Sequence, residues 1–131
     1  MKVILANGTE LSPIALTGAK RNVQGANRDV LSFVFPADTS MDELDSIFTE
    51  KNCETITVVH TNDGDEKQFI HKAYTVRAEL KREPLVVAPA TESSAEVYEN
   101  RVIVSMGQRT YAETQMAEMQ SAMNALLTGE V

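Results

Sequence analysis

Tryptophan is absent from these 131 residues, cysteine occurs once, and no stretch approaches the roughly 18 consecutive apolar residues of a membrane span. Each shortage excludes something. The lone Cys53 cannot close an intramolecular disulfide, so the fold must stand without one, in keeping with synthesis in a reducing cytoplasm. The opening Met-Lys-Val-Ile-Leu-Ala-Asn-Gly holds an apolar run that ends at once in a turn dipeptide, too short for the core of a secretory signal, so no signal peptide is expected. Basic residues are few as well: 12 Lys and Arg against 19 Asp and Glu leave a net charge of -7. Nucleic acid is bound by clustered cations that release counterions, and an anionic membrane repels such a surface, so neither is an expected partner.

What is present suits one compact domain with an appendage. A hydrophobic content of 43% in 131 residues supplies one core, whereas two domains of half that length would each be marginal. Charge is uneven along the chain: positions 38–66 hold nine acids and one Lys, and 67–82 hold five bases and one acid. An acidic segment beside a basic one is compatible with self-association, although a solvated surface is the more frequent cause of such runs.

Lys2 to Ala6 is rich in β-branched residues, Asn7-Gly8 is a strong two-residue turn signal, and Thr9 to Leu16 resumes around Pro13, which predicts a hairpin whose second arm lies at an edge or bulge. Gly18 to Asn27 is polar and reads as a loop. In Arg28 to Phe35, Leu31, Phe33 and Phe35 recur at period two, as in a core strand stopped by Pro36. Ser40 and Glu43 form a capping box, after which Met41, Leu44, Ile47 and Phe48 share one helical face, predicting a short helix over about 40–51 with Asn52 as its stop. Glu54 to His60 and Glu66 to His71 flank a turn at 61–65, a second hairpin. Tyr74 to Lys81 alternates with Tyr74, Val76, Ala78 and Leu80 inward. Pro89 ends a short apolar run, an acidic connector spans Thr91 to Glu99, and Arg101 to Met106 is the last strand.

From Gly107 onward Ala, Met, Gln, Glu and Leu dominate, which predicts a regular amphipathic helix over about 108–128, with Gly129 as a stop. Ala112, Met116, Met119, Met123 and Leu126 follow the 4-3-4-3 spacing of a coiled-coil seam. The flanking positions Glu113, Gln115, Gln120, Ala122 and Leu127 offer little charge pairing to choose a partner. Such a stripe serves either as an interface or as packing against the protein's own sheet, and methionine, soft and unbranched, suits both. The expected class is therefore α+β, a mainly antiparallel β body over 1–106 with a helical element over 107–131.

Signals for chemistry are sparse. His60, His71 and Cys53 lie on the second hairpin but lack the short spacings of a zinc site. Asn62-Asp63-Gly64-Asp65-Glu66 lacks the alternating ligands and distant Glu of a calcium loop and reads better as a turn. Asp42, Glu43 and Asp45 sit where acids favour the positive end of a helix dipole. Gly18-Ala19-Lys20-Arg21 lacks the pattern of a phosphate loop. Cys53 has no base near it in sequence and reads as a small buried hydrophobe. No catalytic residue, metal or cofactor is expected.

Three stretches carry a family resemblance: Arg28-Asp29-Val30-Leu31-Ser32-Phe33-Val34-Phe35-Pro36, then Met41 to Phe48 with Asn52-Cys53-Glu54, and then His71 to Pro84 together with Arg101 to Met106 leading through Gln108 to Glu113 into the helix. With these the chain resembles small tail or baseplate proteins of long-tailed phages and prophages of Gram-positive bacteria. The resemblance implies a β-rich, non-enzymatic virion component, made in the host cytoplasm. Its partners would be further copies of itself, as a homo-oligomer such as a trimer, and/or a neighbouring tail or fibre protein. It also favours an interchain role for Ala112, Met116, Met119, Met123 and Leu126. Two other classes compete: a β domain binding carbohydrate or a receptor, for which aromatics are few, and a small metal-dependent enzyme using His60 and His71, which lacks a supporting constellation.

Overall fold

A computed structural model describes residues 1–128, and the expected stop at Gly129 lies outside the described residues. The elements run β1 (Lys2–Ile4), β2 (Glu10–Leu11), β3 (Ala15–Val23), β4 (Ala26–Pro36), α1 (Met41–Ile47), β5 (Thr55–Asn62), β6 (Asp65–Lys72), β7 (Val76–Ala88), β8 (Val97–Gly107) and α2 (Tyr111–Thr128). Among the described residues the strands make two four-stranded antiparallel sheets, ordered β2-β1-β5-β6 and β3-β4-β8-β7. The class is α+β with a dominant antiparallel sheet, as expected.

The core lies between the sheets. Leu31, Phe33 and Phe35 of β4 stand opposite Met106, Val104 and Val102 of β8, and these six meet Val3, Ile56 and Val58 of the other sheet. The period-two apolar pattern of β4 thus places one whole face in the core. Helix α1 closes the end of this layer: Leu44 and Phe48 are buried, and the Phe48 ring lies 5.2 Å from Phe33 and 6.2 Å from Phe35. Ser40 caps α1 by accepting from the Glu43 amide, and Asn52 Nδ2 donates to the Ile47 carbonyl. The helix is shorter than expected because Phe48 already leaves helical geometry.

Three other expectations need correction. Gly18 to Asn27 is not a loop: β3 and β4 pair from Ala15 with Val34 to Val23 with Ala26 around a tight Gln24-Gly25 turn whose two residues both have positive φ, 48° and 81°. Its polarity reflects a hairpin that reaches past the core, where both faces meet water. The inward alternation of Tyr74 to Leu80 is broken by a bulge at Ala78, which puts Arg77 and Leu80 on the same face, opposite Met106 and Val104. Arg77 there donates to the Phe48 carbonyl (2.7 Å) and to Asp45 (3.0 Å), a cation at the C-terminal end of α1. Finally, the acidic connector is shorter than expected, since Val97 to Asn100 extend β8 along β7. Pro84 is tolerated within β7 because that strand is an edge.

Candidate protein interaction interface

Helix α2 grows directly out of β8, and the three residues between them are tied to both sheets. Gln108 N–H donates to Asp29 O and its side chain to Lys72 O; Arg109 N–H donates to Ala73 O (2.7 Å), and its guanidinium reaches both oxygens of Glu54 (3.1 and 3.4 Å). Thr110 is the cap: its hydroxyl accepts from Glu113 N–H, and Glu113 Oε1 accepts from Thr110 N–H, a reciprocal capping box.

The same Glu113 carboxylate is gripped by Arg28, whose side chain is 1% exposed. The Arg28 guanidinium donates to Val23 O (2.8 Å), Gln108 O (3.2 Å) and Gln24 O (3.5 Å), and its two terminal nitrogens meet both Glu113 oxygens. A buried cation with this many acceptors is stable only while they stay in place. Hydrogen bonding from Arg28, reinforced by the Thr110 amide, holds the Glu113 carboxyl down at about 2. Gly107 makes the passage possible, since a Cβ there would sit 3.1 Å from Arg28 Cδ and 3.5 Å from Val76 O.

Beyond this root the helix presents its seam to solvent. Ala112, Met116, Met119, Met123 and Leu126 are all exposed, the three Met residues by 59–69%, and Leu127 by 82%. The stripe is therefore not packed on the β body. A first turn locked to both sheets fixes the direction in which an uncovered apolar stripe points, the arrangement a contact surface requires.

The residues considered for chemistry do not converge. His60 stands opposite Lys67 and His71 opposite Ile56, four register steps apart, with His60 against Phe69 and His71 against Tyr74. Among the described residues no three His, Cys, Asp or Glu side chains group as metal ligands. Cys53 is fully buried, and desolvation pushes its thiol up to about 11, against the opposing charge of Arg77. The 61–65 segment is a turn with Asp63 and Gly64 at positive φ, and Gly18 to Arg21 lie within β3 rather than before a helix. Of the aromatics, Phe33, Phe35, Phe48 and Tyr74 are buried, while Phe69, Tyr98 and Tyr111 are exposed on β6, β8 and α2.

No pattern in the sequence marks Arg28, Glu54, Arg109 and Thr110 together as an anchor. One signal was available, the T-x-x-E of Thr110 to Glu113. No protein-family model, curated protein or solved structure matches this chain.

Proposed function

We propose that this protein is a non-enzymatic tail or baseplate assembly component of a long-tailed phage or prophage, acting by protein contacts through Ala112, Met116, Met119, Met123 and Leu126. The observation that carries the reading is a helix whose root is bonded to both sheets while its apolar seam lies bare. Burying such a stripe against a partner removes apolar surface from water, and the rooted first turn means that little orientational freedom is lost on binding. The resemblance of the β4, α1 and β8-to-α2 stretches to phage tail proteins supplies the biological setting.

The test is a light-scattering mass for the full chain and for Met119→Lys/Met123→Lys over a range of concentration. The expected outcome is a mass above 14.4 kDa that rises with concentration for the wild-type chain and falls in the variant. If the two masses agree, self-association by the seam is wrong, and co-purification with the tail proteins encoded beside it becomes the deciding measurement. Neighbouring genes of metabolic rather than virion type would sink the phage setting.

A further inference from the structure

Strand β6 is an outer edge of its sheet, eight residues long, with Phe69 49% and Ile70 60% exposed. An edge of this kind invites pairing with another chain, and proteins ordinarily blunt it. The other edges of this fold are blunted: β2 has two residues, β7 carries Pro84 and bulges, and β3 holds the exposed cations Lys20 and Arg21 and no acid of its own, so a second β3 would meet like charge. The backbone of β6 alternates in direction. Ala73 N–H donates to Glu54 O across the β5 side, so the odd-numbered residues face β5 and the N–H and C=O groups of Glu66, Gln68 and Ile70 face outward. Among the described residues nothing bonds these outward groups; only at Lys72 does Gln108 reach the outer carbonyl.

Antiparallel pairing of β6 with itself demands that outward residues meet outward residues, which limits the possible two-fold axes. The axis through Phe69 satisfies this rule and also matches charge and apolar surface. It sets Glu66 against Lys72 of the second copy and Gln68 against Ile70. It also brings Phe69 opposite Phe69 on one face, with Ile70 diagonal to Ile70 on the other. We propose that β6 is a homodimerisation edge, joining two copies antiparallel about Phe69 into one continuous eight-stranded sheet. This contact is separate from the α2 seam and does not rest on the phage reading. Together the two contacts would let the chain build beyond a closed pair. An edge of about seven residues a side buries less than the roughly 1,200 Å² of a standard stable interface, so the dimer is weak and forms at high protein concentration.

The test is disulfide trapping in the full chain, with Cys53 buried and out of reach. Directly opposed Cβ atoms at a non-hydrogen-bonded pair lie within disulfide range, whereas diagonal ones do not. Phe69→Cys is expected to give at least about ten-fold more cross-linked dimer than Gln68→Cys or Ile70→Cys. Adding Gln68→Pro, which removes an outward donor and none of the β5 ladder, should abolish that excess. The same outcome is expected with Met119→Lys/Met123→Lys present, which separates this edge from the seam. A second measurement leaves Phe69 intact: Glu66→Lys should weaken the dimer several-fold in sedimentation, and Glu66→Lys/Lys72→Glu should restore it. Equal trapping at the three positions, insensitivity to Gln68→Pro, or no dimer from a folded Phe69→Cys protein overturns the proposal.

Discussion

The two terminal nitrogens of Arg28 meet the two carboxylate oxygens of Glu113, joining the start of β4 to the first turn of α2 across 85 positions of sequence. Arg28 is buried, while the Glu113 side chain is 41% exposed, so water screens the attraction only from one side. Removing either partner acts differently. Glu113→Gln keeps the shape and one acceptor oxygen, which can still take the Thr110 amide and one Arg28 nitrogen, and is expected to cost about 1 kcal/mol. Arg28→Met strands the carbonyls of Val23, Gln24 and Gln108 and is expected to cost about 2–3 kcal/mol. Urea unfolding of the two variants measures the difference, and amide exchange should show the first turn of α2 opening in both.

Acid should loosen the same root. The folded Glu113 carboxyl sits at about 2, below its ordinary 4.5, so the unfolded or detached state binds the proton more readily. Its contribution is complete above 4.5 and is lost as pH falls from there toward 2. The protection of the Thr110 and Glu113 amides, taken relative to their intrinsic exchange rates at each pH, should therefore fall in that window, and in Glu113→Gln the fall should be absent.

Much of the body is legible in sequence wherever burial is one-sided. Leu31, Phe33 and Phe35 declare a strand because one face is dry, and Leu44 with Phe48 declare a helix for the same reason. The β3-β4 tip is not legible, because at Lys20 to Asn22 both faces are wet and Gln24, at φ 48°, is an uncommon residue for a left-handed turn. The bulge at Ala78 leaves no trace in a clean alternation. The α2 seam is legible as a pattern, but what covers it is not, since an intramolecular and an interchain contact call for the same spacing. The anchor is hidden for another reason: a buried Arg28 and its acceptors are brought together only by the tertiary fold.

Gly107→Ala probes the crowding beside that anchor. The new Cβ would lie 3.1 Å from Arg28 Cδ, and Arg28 is held by several acceptors and has little freedom to move aside. A destabilisation of about 1–2 kcal/mol is expected, read from the midpoint of chemical unfolding at unchanged m-value.

Cys53 should behave as an inert thiol. It is fully buried and its thiol is raised to about 11, so at pH 8 only about one in a thousand is thiolate even before access is considered. Labelling by a thiol reagent in native buffer is expected to track global unfolding, becoming complete within minutes only in denaturant. Rapid labelling of the folded protein would contradict the packing around this residue.

Ala73 connects the strand edge to the helix root and does so in a left-handed conformation, φ 65°. Its amide donates to Glu54 O and its carbonyl accepts from Arg109 N–H, so the backbone there is fixed on both sides. A non-glycine residue in this region costs about 1–2 kcal/mol, and glycine escapes that cost while adding about 0.5–1 kcal/mol of chain entropy to the unfolded state. Ala73→Gly is therefore expected to be neutral to stabilising by about 1 kcal/mol. Ala73→Val, whose β-branch is least compatible with positive φ, should destabilise by about 1 kcal/mol more, since it adds its own clash to a penalty that Ala73 already carries. The opposite order of these two variants in thermal unfolding would show that the side chain of Ala73, and not the path of its backbone, decides how the helix root is held.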